Sequence, residues 1–308
     1  MRNKISWLRT SIQIMSFILI NAGFFGVAPF ATSPILRNVS LPIGACHYLE
    51  KGVVHCYLYN LQAGLTIGWE SMYVFIIIPA IIFTLTAALF GRAWCGWVCP
   101  LGLGADLFTK LRKSFKLSYI QIPLAAKEFL DRIKYAGLFL IVLISLSIGI
   151  PLLGLTIFRS AYALPLCQVC PAKPLFILLQ QGIGILPYSP LPPLSILMLT
   201  VFIAGSLAIR RFWCRFCPIG ALISLFSRIS SLWLSKDVKK CTKCGVCKRC
   251  CPVGVTKVYD EKVDVNVAAR ECIMCFRCVE LCPEDKCLEV NFLNKKIISS
   301  KYRIPTGG

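Results

Sequence analysis

Histidine is scarce in this chain of 308 residues, which contains only His47 and His55. A haem buried between membrane helices usually takes one histidine from each facing helix, and both histidines lie outside the long apolar stretches. The sequence therefore argues against a b-type haem. It also lacks a Cys-x-x-Cys-His motif, a Gly-x-Gly-x-x-Gly fingerprint and a Walker loop, so neither a c-type haem nor a nucleotide site is expected.

Acidic residues are also few, with 14 Asp and Glu against 34 Lys and Arg, and the formal net charge is +20. In a soluble protein this charge would suggest a nucleic-acid partner. Here 56% of the residues are hydrophobic and the basic residues lie beside apolar runs, as in the cytoplasmic loops of membrane proteins. The lipid bilayer is therefore an expected partner, and nucleic acid is not.

Four apolar stretches are long enough to cross the hydrocarbon core of a bilayer, which takes about 20 helical residues. They are Ser11–Thr32, Trp69–Phe90, Tyr135–Phe158 and Leu191–Ile209. A shorter run, Pro174–Leu186, is predicted to be an interfacial or re-entrant segment. The expected fold class is an α-helical membrane protein with four transmembrane helices and a C-terminal ferredoxin-like α+β domain.

The distribution of basic residues predicts the orientation in the inner membrane. The connection between the second and third spans contains Arg92, Lys110, Arg112, Lys113, Lys116, Lys127, Arg132 and Lys134. The other two connections contain only Arg37, Lys51, Arg159 and Lys173. This asymmetry predicts that both termini are cytoplasmic. The basic N-terminus before an apolar run also fits a cleaved signal peptide, but the repeat described next favours a retained helix.

An internal duplication organises the membrane domain, residues 1–235. Gly91–Gly102 ends the second span and Arg211–Gly220 ends the fourth, and each segment carries a Cys-Pro motif. The repeats, 1–117 and 133–235, predict two helical hairpins packed about an axis along the membrane normal. Apolar residues at helical spacing after each Cys-Pro predict a helix along the inner membrane surface.

Two dense cysteine motifs define a domain at residues 236–292, before a basic tail at 293–308. Each motif has three cysteines at two-residue gaps followed by Cys-Pro, which is typical of proteins with two [4Fe–4S] clusters. The fourth ligand of each cluster comes from the other motif in that pattern. One predicted ligand set is Cys241, Cys244, Cys247 and Cys282, and the other is Cys272, Cys275, Cys278 and Cys251.

Zinc is the alternative metal for this domain, but zinc sites pair two Cys-x-x-Cys knuckles and do not need three cysteines in one loop. Cys250 and Cys287 belong to neither predicted ligand set. We interpret both as small buried side chains.

Eight further cysteines lie at the ends of the predicted spans. A possible inner-face metal or cluster site consists of Cys95, Cys99, Cys214 and Cys217, with packing or helix capping as the alternative. A possible outer-face site consists of Cys46, Cys56, Cys167 and Cys170, for which metal binding and disulfides are equally compatible with the sequence. His47 and His55 adjoin the outer set and could bind metal, exchange quinol protons or simply be solvated.

In this topology a hydrocarbon core of about 30 Å separates the inner and outer sets, and direct electron transfer between them would be slow.

The combination of four spans, two Cys-Pro motifs and a two-cluster tail resembles the NapH/MauN family of membrane ferredoxin-type proteins. The resemblance is most specific at Gly91–Gly102, Arg211–Gly220 and Cys241–Pro283. Cys214-x-x-Cys217 is one residue shorter than the usual family spacing, and the outer cysteines lie outside the family signature. The resemblance implies a quinol-dehydrogenase component that passes electrons between the membrane quinone pool and partner redox subunits, which include iron–sulfur or cytochrome proteins.

Two functions are therefore compatible with the sequence. The first is electron transfer between quinone, as the substrate, and a partner with an acidic face, because the tail is more basic than acidic. The second is an assembly or maturation factor that supplies electrons while the metal centre of another enzyme is built. A scaffold held together by its clusters is a third alternative.

Overall fold

The computed structural model describes residues 4–21, 40–48, 55–67, 76–116, 118–120, 122–150, 164–227, 229–267 and 270–301. The N-terminal part is helical. Its elements are α1 Lys4–Ile20, β1 Ser40–Leu41, β2 His55–Cys56, α2 Tyr57–Ile67, α3 Ile78–Phe90, α4 Ala93–Trp97, α5 Pro100–Ser114, α6 Leu124–Gly149, α7 Pro165–Val169, α8 Ala172–Gly182, α9 Pro193–Ala208, a 3₁₀ turn Phe212–Arg215 and α10 Pro218–Phe226. The C-terminal part contains β3 Leu232–Lys236, α11 Val246–Cys250, α12 Lys257–Asp260, α13 Arg277–Leu281, β4 Leu288–Phe292 and β5 Lys295–Ser299.

Each predicted span corresponds to a helix, but three of the spans extend into residues 22–32, 69–75 and 151–158, which lie outside the described residues. Among the described helices, one contains a stretch long and apolar enough to cross a membrane, Arg132–Gly149 in α6. Helices α3 and α9 are apolar but shorter. The four-span arrangement therefore stays a prediction.

Helix α6 begins at Leu124, well before the predicted start at Tyr135. Hydropathy places residues 124–134 in a loop because they include several charged side chains. Their alanine, leucine, lysine and glutamate residues nevertheless favour helix, so the helix extends through them.

A helix follows Cys99-Pro100 and another follows Cys217-Pro218, as the apolar spacing predicts. Helix α5 leaves Leu107 and Leu111 exposed, as a surface helix would. Helix α10 differs, because it packs against α3 and α6 and buries most of its residues, including Ile219 and Ile223. The position along the inner membrane surface stays a prediction for both helices.

The C-terminal part contains a three-stranded antiparallel sheet in the order β3-β4-β5. Strand β4 pairs with both β3 and β5. Leu293 and Asn294 join β4 to β5 with positive φ angles of 47° and 63°, the conformation of a two-residue type I′ hairpin. The sheet thus extends from Leu232 to Ser299, beyond the predicted boundaries at 236 and 292 on both sides, and the domain boundaries stay a prediction. The last strand was predicted as a tail because two of its five residues are lysine.

One apolar core joins the helices to this sheet. Phe83 of α3 and Ile223 of α10 belong to the same buried cluster as Leu234 and Val290 of the sheet. At its edge, Phe90 stacks on Phe292 with ring centroids 5.7 Å apart. The cysteine-rich domain is therefore packed directly on the helical part.

Candidate functional site

The two cysteine motifs of the C-terminal part fold into matching loops. Lys243 and Gly245 flank the second cysteine of the first motif, with φ angles of 52° and 74°. Met274 and Phe276 flank the second cysteine of the other motif, with φ angles of 47° and 56°. A left-handed conformation costs a residue with a side chain about 1–2 kcal/mol, so it persists only where the surroundings impose it. The repeated conformation curls each loop around a cavity.

Each cavity collects the cysteines that the sequence assigns to one ligand set. The cysteines on the first cavity are Cys241, Cys244, Cys247, Cys282 and Cys287. Those on the second are Cys247, Cys251, Cys272, Cys275 and Cys278. In both cases the fourth cysteine of a predicted set comes from the other motif. The loops are thus brought together in the crossed arrangement, while the ligand assignment itself stays a prediction.

The two surplus cysteines are buried next to these cavities. The Cys250 thiol contacts the Cys247 carbonyl oxygen at 3.6 Å, and the Cys287 thiol lies 3.6 Å from the carbonyl oxygen of Asp237. Cys287 is also within hydrogen-bonding reach of Cys282, and this contact lowers the pKa of the Cys282 thiol. Cys287 therefore favours the thiolate form of a predicted ligand.

The predicted inner set lies where two Cys-Pro motifs meet. Cys95 is in α4 and Cys214 in the 3₁₀ turn, while Cys99 and Cys217 immediately precede α5 and α10. The two Cys-Pro cysteines have nearly the same backbone angles, φ −62° and ψ 120° in one and φ −63° and ψ 121° in the other. All four cysteines line one cavity. The structure thus brings this set together.

Two fully buried arginines flank the inner set. Arg211 donates to the Cys95 carbonyl oxygen at 2.7 Å and to Asp106 Oδ1 at 3.0 Å. Arg92 donates to Glu271 Oε2 at 2.8 Å and approaches the Cys214 carbonyl oxygen at 3.4 Å. Both guanidinium groups are close enough to the inner cysteines to interact with them electrostatically.

Buried cations outnumber carboxylates around this site. Arg9 joins Arg211 on Asp106, and Lys134 joins Arg92 on Glu271, so four cations share two carboxylates. Burial alone would raise the pKa of Asp106, but the arginines outweigh it and hold that pKa below its usual value. Uncompensated buried charge is costly, so the excess of cations suits a site for an anionic group such as a thiolate-bound cluster.

The loop of the second C-terminal motif is packed on the helix that carries Cys95. A Cβ atom added to Gly96 would stand 2.2 Å from the Ile273 carbonyl oxygen, so only glycine permits this approach. Next to it, the Trp97 indole nitrogen donates to the Met274 carbonyl oxygen at 2.7 Å. The helix that carries Cys95 and the loop of the second C-terminal motif are therefore in direct contact, so the predicted ligands on these two segments lie close together.

The predicted outer set lines the same cavity as the inner set. Cys170 and Cys217 are near enough to interact electrostatically. The predicted separation of about 30 Å is therefore wrong. Cys56 of β2 and Leu166 and Cys167 of the short helix α7 line this cavity together with the inner cysteines. Burial raises the pKa of Cys46 to about 12.

His47 and His55 lie in an aromatic group beside the outer set. The His47 ring stacks on Tyr59 with a centroid separation of 4.0 Å, and the centroids of His47 and His55 are 5.8 Å apart. His47 and Tyr59 also line the cavity that the eight cysteines share.

Among the described residues, no group of three or more His, Cys, Asp or Glu side chains is close enough to hold a single metal ion. Thiolates on one zinc ion stand about 3.8 Å apart, given a Zn–S distance near 2.3 Å. Thiolates on a [4Fe–4S] cluster each bind a different iron and stand farther apart. Cysteines that surround a cavity without converging on one point are thus compatible with a cluster.

Two family models match the chain in the regions of these cysteines. A 4Fe-4S binding domain matches residues 72–118 and again 191–241. A 4Fe-4S dicluster domain matches residues 234–283. The first model thus covers Cys99-Pro100 and Cys217-Pro218 of the N-terminal helical part, and the second covers most of the C-terminal domain. These matches support an iron–sulfur electron-transfer role.

Related proteins extend the similarity to most of the chain. The uncharacterized protein MJ0750 of Methanocaldococcus jannaschii is 30% identical over 68% of this chain and 76% of its own length. YccM of Escherichia coli, whose name proposes a role in electron transport, is 27% identical over 92% of this chain and 74% of its own length.

The ferredoxin-type protein NapH of Escherichia coli is 30% identical over 67% of this chain and 64% of its own length. No solved structure matches the chain. The cysteine motifs, both family models and these relatives lead to one conclusion: the chain belongs to the NapH-like family of ferredoxin-type proteins.

Proposed function

We propose that the chain is a membrane-bound protein that passes electrons between the quinone pool and a partner redox protein. The observation that carries this proposal is the contact of the second C-terminal cysteine loop with α4, at Gly96 and Trp97. Electron transfer weakens steeply with distance, so direct packing between the two cysteine-bearing parts favours transfer between them.

We assign three cluster sites to this role. Two are the crossed ligand sets of the C-terminal domain, and the third is the inner set of Cys95, Cys99, Cys214 and Cys217. When bound, the clusters would supply one-electron carriers whose potential depends on charge, hydrogen bonds and burial. The chain supplies the siting and the electrostatics.

Arg92 and Arg211 are the main electrostatic elements of this proposal. Each contacts the backbone of an inner-set cysteine and lies near a predicted ligand of the second C-terminal cluster, Cys272 for Arg92 and Cys275 for Arg211. Positive charge between two anionic groups stabilises an added electron on either of them. Both arginines would therefore raise the reduction potentials of the two neighbouring sites.

Membrane insertion through four spans, with both termini cytoplasmic, completes the proposal. It is supported by the apolar helices α3, α6 and α9 and by their exposed side chains, such as Ile81, Leu85 and Phe139. Side chains of this kind face lipid in membrane proteins. The name of YccM and the ferredoxin-type name of NapH also support an electron-transfer role in a related protein class.

The partner would dock near Cys244, which is the exposed cysteine of the first C-terminal set. Lys239, Lys240, Lys243 and Lys248 surround this region and are themselves exposed. A basic surface at the most accessible cluster favours a partner with an acidic face.

The test uses full-length protein purified anaerobically and reconstituted in lipid vesicles. A quinol analogue is added without any partner, and cluster reduction is followed by visible absorption and electron paramagnetic resonance. Reduction, or reoxidation of the reduced protein by the quinone form, is expected. Clusters that exchange electrons with a soluble dye but with neither form of the quinone would refute the proposal and favour a role in assembling another enzyme.

A further inference from the structure

The outer cysteines Cys46, Cys56, Cys167 and Cys170 repeat the construction of the predicted cluster ligands. Cys167-Gln-Val-Cys170-Pro171 has the same spacing as Cys214-Arg-Phe-Cys217-Pro218. In both segments the first cysteine lies in one turn of helix, and a longer helix, α8 or α10, begins within two residues of the second.

The same arrangement recurs at every Cys-Pro in the chain. A single helical turn precedes the cysteine, whose backbone is extended, with φ between −62° and −76° and ψ between 120° and 127°. Proline imposes the extended conformation on the residue before it. The five cysteines are Cys99, Cys170, Cys217, Cys251 and Cys282. Four of them belong to predicted cluster sites already described, and Cys170 is the fifth.

Hydrogen-bond donors surround the outer sulfur atoms. The backbone N–H groups of Gly44, Leu58 and Tyr59 lie close to the Cys56 sulfur. One backbone N–H group lies close to each of the Cys46 and Cys170 sulfurs, from Tyr48 and Ala172 respectively. Donors directed at sulfur stabilise a thiolate much more than a thiol, and hydrogen bonds to the sulfurs are a feature of iron–sulfur sites.

Two side chains add to this environment. Gln62 lies with its amide nitrogen 3.9 Å from the Cys167 sulfur and also accepts the Leu166 backbone N–H at 2.9 Å, which fixes its orientation. The Lys173 ammonium group attracts negative charge on Cys46 and Cys167. All four outer cysteines are free thiols in the structure.

We propose that Cys46, Cys56, Cys167 and Cys170 bind a fourth [4Fe–4S] cluster, beside the inner set and in the same cavity. Each thiol would lose its proton as its sulfur binds one iron. The site shares its cavity with the inner set and with His47 and Tyr59. The proposal does not depend on quinone or on a partner, because it concerns metal content alone.

This proposal is tested by measuring the iron and acid-labile sulfide contents of the anaerobically purified full chain. Four clusters predict about sixteen irons per chain. A Cys56→Ser, Cys167→Ser variant should retain about twelve, and so should Cys95→Ser, Cys214→Ser, with the two variants losing different resonance signals. Cys250→Ser removes a buried thiol outside every proposed ligand set and should retain the full content.

A second measurement on the native chain covers the case in which the outer variant does not fold. The protein is denatured without a reductant in the presence of an alkylating reagent, and its peptides are mapped by mass spectrometry. Ligands released from a cluster are alkylated, whereas cysteines in a disulfide are not. Alkylation of all four outer cysteines with about sixteen irons would support the site. Disulfide-linked outer peptides, or the same iron content in the native chain and in the Cys56→Ser, Cys167→Ser variant, would overturn it.

Discussion

Gly96 and Ile273 are in contact across the boundary between the N-terminal helical part and the cysteine-rich domain. A methyl group at Gly96 would stand 2.2 Å from the Ile273 carbonyl oxygen, and the next contact, to the carbonyl carbon, would be 3.4 Å. Because the opposing atom belongs to the backbone of a cluster-binding loop, it cannot move aside as a flexible side chain would. The loop and α4 must therefore separate if Gly96 is replaced.

Gly96→Ala should consequently weaken the packing of the cysteine-rich domain on the N-terminal helical part without removing any predicted ligand. We expect faster proteolysis of the C-terminal domain and slower electron transfer between it and the inner site. Gly137→Ala is the matched control, since Gly137 is also helical and a Cβ there meets nothing within 4 Å. Equal proteolysis and equal transfer rates in the two variants would contradict the importance of this contact.

Asp106→Asn should destabilise the protein by about 3–5 kcal/mol, because it leaves Arg9 and Arg211 buried without their carboxylate. Chemical unfolding in detergent measures the effect. Asp260→Asn, at an exposed position, is the control and should change stability by less than about 0.5 kcal/mol. A shift no larger than that of the control would show that Asp106 is not needed to balance the arginines.

The pH dependence of stability provides a separate check on Asp106. The arginines lower its pKa in the folded chain. Its contribution is therefore present above the ordinary aspartate pKa, near 3.9, and is lost as the pH falls through the lower folded value. Below about pH 4, native protein should lose stability more steeply than Asp106→Asn. If the stability of both proteins fell with pH at the same rate, the lowered pKa of Asp106 would be contradicted.

Cys251→Ser should abolish the cluster whose other ligands are Cys272, Cys275 and Cys278, and leave the one nearer in sequence. Electron paramagnetic resonance should show the same missing signal as in Cys272→Ser. Cys250→Ser changes the adjacent residue and should preserve both signals. If Cys251→Ser instead removed the signal that Cys244→Ser removes, the crossed assignment would be wrong.

Membrane orientation can be tested by introducing cysteines next to Lys51 and Lys113 and adding a thiol reagent that does not cross membranes. In intact cells the first position should be labelled and the second should not, because the basic connection is expected to be cytoplasmic. Labelling near Lys113 alone would invert the topology.

Partner docking should depend on the lysines around Cys244. Lys243→Glu with Lys248→Glu should lower the association rate with an acidic partner by about tenfold or more at low salt, and the difference should shrink as salt rises. Lys295→Glu changes an equally exposed lysine on the β4–β5 hairpin and should have a smaller effect. Equal rates in the two variants would exclude this surface as the docking site.

The sequence was most informative where a single residue property indicates a single kind of structure. Cysteine spacing predicted the two ligand sets that line the C-terminal cavities, and hydropathy predicted the apolar helices. The boundaries of the C-terminal domain were less visible, because β3 and β5 are five residues long and carry lysines that resemble a loop or tail.

The position of the outer cysteines could not be derived from hydropathy. Hydropathy assigns a segment to a side of the membrane but does not detect a connection whose residues line the same cavity as the inner cysteines, as those of β2 and α7 do here. One signal was nevertheless present, since Cys170-Pro171 repeats the Cys-Pro motif of the cluster sites. The sequence presents Arg92 as a basic residue of a connection and Arg211 as the first residue of a repeat segment. Only the structure shows their contacts with the backbone of the inner cysteines.

The most direct test of the electron-transfer account is the reoxidation of reduced protein in vesicles by a long-chain quinone that stays in the bilayer. Native protein is compared with Cys95→Ser, Cys214→Ser, which retains both C-terminal ligand sets. We predict that native protein is reoxidised readily and that the variant is reoxidised much more slowly, although a soluble oxidant reaches its C-terminal clusters at the native rate. Equal reoxidation of both proteins by the bilayer quinone would contradict a path through the inner cysteines.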